Sequence, residues 1–257
     1  MSGESGGVRV REEDGVLRLV LDRPPVNVLD REAIGELDRA LEEAAGREEV
    51  RVLCLTGAGQ AFCAGVSVED HLPGRVEETL SAFGDAVKRI LGLPFPAVAA
   101  VNGAALGGGC ELTAACDLVV ARDGAKLGQP EIRLGVFPPV AAALLPRLVG
   151  RQRALDLILT GRTLDAEEAL RAGLVQHLLP AASWEEELEG FLGRLSGLSR
   201  PVLRLARRAT LEGAEGPVEE AIDRAERTYL DELMELADPR EGLEAFLEDR
   251  EPAWEDA

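Results

Sequence analysis

From Ile90 to Cys110 the chain carries no charged side chain for 21 residues. A run of that length is enough to cross a bilayer as a helix. It also holds Pro94, Pro96, Asn102 and five glycines. Proline removes a backbone donor and glycine weakens a helix, so a lipid-exposed helix does not fit. The stretch reads instead as the interior of a soluble fold, and an interior that long needs enough chain to surround it. With 257 residues, 46% of them hydrophobic and 29% charged, the length fits one large domain or one domain with a small appendage.

Charge narrows the choice of partner. A formal net charge of −19 repels nucleic-acid phosphates and anionic lipid, so neither nucleic acid nor membrane is expected as a partner. A local site can still differ in sign from the whole surface. The opening MSGESGGVRVREEDG lacks the apolar segment of a secretory peptide, which places the expected location in the cytoplasm. Cys54, Cys63, Cys110 and Cys116 form no CxxC pair and lie in apolar surroundings; they read as small core residues of a reducing compartment. With His71 and His177 as its only histidines, the chain is not expected to bind a transition metal.

Periodicity gives the architecture. VRVREEDGVLRLVLDRP reads as two strands around an Asp-Gly turn, with Leu17, Leu19 and Leu21 facing inward. Asp30 is placed to cap a helix whose Ile34, Leu37 and Leu41 share one face. Strands are expected at Val50–Leu55, Ala97–Val101 and Leu118–Ala121, and their alternation with helices argues for an α/β fold with crossover connections. Past about Gly150 the chain reads as nearly all helix. The last helix is expected to start with Asp238 as N-cap, Pro239 first and Glu241 third. No repeat at a fixed period and no linker marks a second domain; the C-terminal helices read as a smaller lobe that packs on the α/β core or reaches beyond it.

Two glycine motifs follow strands. Thr56–Phe62, TGAGQAF, lacks the third glycine of a dinucleotide fingerprint, since Phe62 stands there. Gly107-Gly108-Gly109 instead introduces a helical segment in which Leu112, Ala115 and Cys116 are spaced for one buried face. Amides at a helix start are unpaired and carry the positive end of the dipole, and glycines let a ligand oxygen approach them. Such a site can stabilise an oxyanion. Glu111 falls in the first turn beside it. Alone, Glu111 is equally explained as a dipole partner or cap. Glu131, just after Pro130 and again among apolar residues, changes that balance: an isolated acid in each of two apolar neighbourhoods suits a general acid/base pair.

The stretches FCAGVSV (62–68), AAVNGAALGGGCELTAACDLVVA (99–121), GQPEIRLGVFP (128–138), LTGRTLDAEEALRAGLV (159–175) and the terminal GLEAFLEDR resemble the crotonase, or enoyl-CoA hydratase/isomerase, family over nearly the whole chain. The resemblance implies an α/β spiral of ββα units over residues 1–195 and a C-terminal helical trimerisation lobe over 196–257. It implies a homotrimer or a dimer of trimers acting on an acyl-CoA thioester, with coenzyme A part of the substrate and no separate cofactor or metal. Matched motif to motif, the backbone amides of Val66 and Gly108 would hold the thioester oxygen. Glu111 would help activate water and Glu131 would deliver a proton to carbon. The substrate would lie against Val26, Val28, Ala64, Gly65, Ser67, Val68, Leu106, Gly107, Pro130, Pro139 and Phe246.

Three positions depart from the family's usual pattern. Ser67 stands where AGxD has its aspartate. PVAAALLP replaces GAGGTQ after GVFP, which makes the segment more apolar and stiffer. Asp249 stands where many members carry a lysine for the nucleotide phosphates; Arg250 is next to it, but neighbouring helical residues point about 100° apart. The first two departures resemble the cyclohexa-1,5-diene-1-carbonyl-CoA hydratases of anaerobic aromatic degradation, with an apolar wall at Pro139–Ala143 facing a ring. The competing readings are a short-chain enoyl-CoA hydratase of β-oxidation, an enoyl-CoA isomerase, and a non-catalytic acyl-CoA-binding scaffold. His71, beside Glu69 and Asp70, reads as a surface group, and His177 as structural.

Overall fold

The structure, a computed structural model, describes residues 7–256. It opens with the hairpin of β1 (Val8–Glu13) and β2 (Val16–Leu21), in register from Val8 opposite Leu21 to Glu13 opposite Val16. Asp14 and Gly15 both have positive φ, 50° and 74°, which suits the twist of a two-residue hairpin. Leu17, Leu19 and Leu21 are buried as expected. Helix α1 (Arg31–Ala45) starts where the Asp30 carboxylate accepts from the Ala33 amide at 2.9 Å, and it buries Ala33, Ile34, Leu37, Leu41 and Ala44.

A long strand, a short strand and a helix then recur. They are β3 (Val52–Gly57), β4 (Ala61–Cys63) and α2 (Val76–Leu91), followed by β5 (Ala97–Val101), β6 (Ala104–Leu106) and α3 (Gly108–Ala115). A third long and short pair follows, β7 (Leu118–Arg122) and β8 (Lys126–Gly128). Each round places one strand in each of two sheets. The larger sheet has the order β1-β2-β3-β5-β7, the smaller β4-β6-β8. This is a mixed α/β spiral of ββα units. The uncharged run from Ile90 becomes β5, β6 and the start of α3, and every residue of β5 is buried because both faces of its sheet are covered.

After α4 (Pro139–Leu148) and α5 (Arg151–Thr160), the reading of nearly all helix is refined by two short strands. Strand β9 (Thr163–Asp165) pairs antiparallel with β8, and β10 (His177–Leu179) extends the larger sheet beside β7, with α6 (Ala166–Ala172) between them. Three residues are too few to display a period of two. Helix α7 (Trp184–Ser196) lays Trp184, Leu188, Phe191 and Leu192 over Val52, Cys54, Val98 and Val120 on the outer sheet face. His177 packs against Phe191 with ring centroids 4.7 Å apart and the rings tilted at 54°. All four cysteines are free and buried, and burial pushes the Cys54, Cys63 and Cys110 thiols up to about 12.

Helices α8 (Arg200–Gly213), α9 (Val218–Asp231) and α10 (Ala237–Leu247) complete the chain. The joint to the core is polar: Arg207 donates to Asp117 at 2.7 Å and to the carbonyls of Leu91 and Leu93, while Asp117 also accepts from the Ala97 amide. The expected cap of α10 is corrected. Asp238 lies inside the first turn, fully buried, and its carboxylate accepts from the amides of Glu255 and Asp256. The returning C-terminal segment takes the carboxylate that the local sequence assigns to the helix start. Pro239 is accordingly the third residue of α10, not the first.

Candidate active site

The loop after β4 is held from the opposite side by the segment after β2. Asn27, buried and at φ 57°, donates to the carbonyls of Ala58 and Ala61 at 2.9 and 2.8 Å and accepts from the Arg23 amide. Its neighbours bind the loop through backbone: Ala64 donates to Val26, Leu29 to Gly65, and Ser67 to Leu29. These bonds use the Gly65 carbonyl and the Ser67 amide, on either side of Val66, and leave the Val66 amide without an acceptor among the described residues.

Opposite it stands the start of α3, where each glycine excludes a side chain for a different reason. Gly107 has φ 51°, and a Cβ there would lie 2.5 Å from Glu131 Oε1. On Gly108 a Cβ would lie 2.8 Å from Val66 Cγ2 and 3.3 Å from the Val66 nitrogen. On Gly109 it would lie 2.2 Å from the Cys63 carbonyl oxygen. The first glycine makes room for an acid, the second for a facing amide, the third for the neighbouring strand. The Gly108 amide, like that of Val66, has no acceptor among the described residues, as befits the first turn of a helix.

Glu111 is 4% exposed, and its Oε1 accepts from the Ala141 amide at 2.8 Å. Burial pushes its carboxyl up to about 7; the Ala141 amide pulls against this, Glu131 reinforces it, and the Val140 amide opposes it. Both amides open α4, where PVAAALLP begins. Pro138 and Pro139 have no N–H, so the first donors the helix can offer are those of Val140 and Ala141. Glu131 lies in the short 3₁₀ turn Pro130–Leu134. Burial raises its carboxyl too, opposed by its own amide and by the charge of His71. The fully buried Gln129 turns its amide nitrogen toward both carboxylate oxygens, 3.2 and 3.3 Å away, an orientation assigned from this hydrogen bonding.

The remaining expected residues divide. Ala64, Ser67, Leu106 and Pro130 are half-buried, Gly65 is buried, and Val26, Val28, Val68 and Pro139 are exposed. Phe246 is 84% exposed on α10, so its own chain does not cover it. Arg250 forms a two-pronged pair with Glu241 that holds that carboxyl down at about 2, and it also pairs with Glu248. His71 corrects the surface reading: it is half-buried, with Nδ1 2.8 Å from the Ser67 carbonyl oxygen. Asn27, Gln129 and the α4 amides escaped sequence reasoning. The one local signal was an Asn between two valines just after a pair of prolines, a residue type that tolerates positive φ.

A cleft of about 780 Å³ opens elsewhere, between the start of α7 and the outer sheet face, lined by Arg9, Arg11, Arg18, Arg122 and Glu185 among others. Neither Glu111 nor Glu131 lines it, and Arg18 on its wall pairs with Glu189. Among the described residues no group of three His, Cys, Asp or Glu side chains is placed to hold a metal, and no helix is long and apolar enough to cross a membrane. Two free amides facing each other, with one buried and one half-buried carboxyl beside them, can hold a developing oxyanion while one acid takes a proton and the other gives one.

The family model for enoyl-CoA hydratase/isomerase matches residues 11–257. The chain is 40% identical to the cyclohexa-1,5-dienecarbonyl-CoA hydratase of Thauera aromatica, over 99% of each. It is 35% identical to a probable enoyl-CoA hydratase of Mycobacterium bovis, over 96% of this chain and 97% of that one. The crystal structure of an enoyl-CoA hydratase from Bacillus anthracis superposes with a TM-score of 0.91 at 32% identity, covering 98% of this chain and 100% of the other.

Proposed function

The chain belongs to the enoyl-CoA hydratase/isomerase family, and on that premise we propose that it is a hydro-lyase adding water to a conjugated acyl-CoA thioester, with a cyclic diene as acyl group. The observation that carries the reading is buried Glu111 and half-buried Glu131 beside the free amides of Val66 and Gly108. The thioester oxygen accepts from both amides, which favours charge moving onto it from the double bond. Glu111 takes a proton from water as the water oxygen attacks. The enolate then collapses and its α-carbon takes the proton of Glu131. The addition is redox-neutral, so coenzyme A enters as part of the substrate and nothing else is required.

The cyclic acyl group is supported by the full-length similarity to the Thauera aromatica protein and by Ser67 and the apolar opening of α4. It would give the enzyme a place in anaerobic aromatic degradation, in the cytoplasm. A linear enoyl thioester is the second reading, favoured by the Mycobacterium bovis relative, and it uses the same centre. Assembly as a homotrimer, or a dimer of such trimers, is supported by the exposure of Ile222, Tyr229, Leu230, Leu243, Phe246 and Leu247 along α9 and α10.

The test is kinetic. Glu111→Gln and Glu131→Gln should each lower hydration by about 10²–10⁴ while acyl-CoA binding survives; near-normal turnover in either rejects the mechanism. Comparing kcat/KM for cyclohexa-1,5-diene-1-carbonyl-CoA and crotonyl-CoA decides the acyl group, and a clear preference for crotonyl-CoA rejects the cyclic substrate.

A further inference from the structure

Cys63, the last residue of β4, is fully buried, and the hydration mechanism gives it no step. Burial pushes its thiol up to about 12, so it stays an S–H group and no nucleophile. Its contacts reach both sides of the thioester site. On one side the Gly65 amide donates to Cys63 Sγ at 3.4 Å, and the Gly65 carbonyl oxygen lies 3.8 Å from the same sulfur. That oxygen also accepts from the Leu29 amide at 2.9 Å. Both polar groups of Gly65, which is buried and at φ 111°, are therefore held. On the other side, the Cys63 carbonyl oxygen and Cβ lie 2.2 and 2.8 Å from where a Cβ on Gly109 would stand. Gly65 itself comes so near α3 that its own Cβ would lie 3.6 Å from the Gly108 nitrogen.

The Val66 N–H and the Gly65 carbonyl belong to one planar trans peptide and point in opposite directions. Turning Gly65 therefore turns the amide that meets the thioester oxygen, and a hydrogen bond weakens steeply as it bends. We propose that Cys63 is a positioning residue for thioester activation: its thiol, bonded to Gly65, aims the Val66 amide, while its main chain, packed on Gly109, fixes how far that amide stands from Gly108. The proposal rests on the thioester reading of the two free amides and is independent of which glutamate takes or gives the proton. Without the sulfur the buried Gly65 amide loses its acceptor. A Gly65 that rotates to recover one carries the Val66 donor with it.

Cys63→Ala removes the thiol and keeps the main chain, whereas Cys63→Ser keeps a side chain that accepts and donates. Infrared spectra of bound butyryl-CoA, labelled with ¹³C at the carbonyl and too saturated to be hydrated, read the two donors directly. The carbonyl stretch should fall in frequency on binding to the wild type, fall by less with Cys63→Ala, and recover with Cys63→Ser. Hydration kcat should drop about 5–20-fold in Cys63→Ala with KM within about twofold, a fraction of the ~10²–10³ for a donor lost outright. Cys54→Ala, which empties an equally buried thiol site on the outer sheet face, should change neither. A Cys54→Ala that loses the shift too, or a Cys63→Ser no better than Cys63→Ala, assigns the effect to lost packing and overturns the proposal. A wild-type shift and kcat untouched by Cys63→Ala defeat the proposal alone. A wild type that binds butyryl-CoA with no shift defeats the thioester reading, and the proposal with it.

Discussion

The start of α3 and the three C-terminal helices solve opposite problems. Around Gly107–Gly109 backbone meets backbone and side chain so closely that no Cβ fits, and the polar groups that remain unpaired there are the ones aimed at a substrate. In α8–α10 side chains stand open to solvent: Tyr229, Leu230, Leu243, Phe246 and Leu247 are all exposed, and the lobe is joined to the core through Arg207 and Asp117. The first region is complete within one chain. The second presents apolar side chains that nothing among the described residues covers. Close packing fixes positions to fractions of an ångström, which chemistry needs; an apolar helix face tolerates variation until a partner covers it.

The comparison breaks most visibly at Gly109. Gly109→Ala should cost about 3 kcal/mol or more, because the clash is with the Cys63 backbone and no side chain can swing away; chemical denaturation measures it, and a change under 1 kcal/mol would mean that β4 gives way. Arg207→Ala should cost about 2–3 kcal/mol, since it leaves the Asp117 carboxylate and two carbonyls short of a donor. Its loss should appear in hydrogen exchange as opening of α8 before the sheet, which sharpens the distinction between lobe and core.

Next in size is pH. With Glu111 at about 7, hydration should fall roughly tenfold, about 1.4 kcal/mol in barrier, per unit below that value as the base is protonated. Stability runs the other way. The folded protein binds this proton more tightly than the unfolded chain, so the contribution is fully present below 4.5 and is lost as pH rises through about 7. Thermal unfolding of Glu111→Gln should lack that part of the dependence. Smallest for the fold of a single chain is Leu230→Glu, within about 0.5 kcal/mol at an exposed position. Sedimentation should nevertheless register it as a lower mass if the helix face is an interface.

How much of this was legible depended on the range over which each requirement acts. Asp30 and its helix, the Asp14-Gly15 turn and the leucines of β2 are set by neighbours in sequence, and they stand where periodicity and capping place them. GGGCE was legible because needs imposed from elsewhere, by Glu131, Val66 and Cys63, leave consecutive glycines as their imprint. Asp238 misled because its partners, Glu255 and Asp256, return from the end of the chain. Strand β9 was hidden by its three-residue length, and the contact of His71 by a turn that brings it back onto its own loop. A side chain bonded to a distant main-chain group leaves no pattern in the residues beside it.

Glu111 receives its hydrogen bonds from the main chain of α4, not from any side chain. Substitutions at Val140 or Ala141 can therefore reshape the wall an acyl group meets while the base keeps its donors, provided the two prolines still start the helix. Shape and basicity are thus heritable separately at this site: lineages can trade one substrate for another without renegotiating the chemistry.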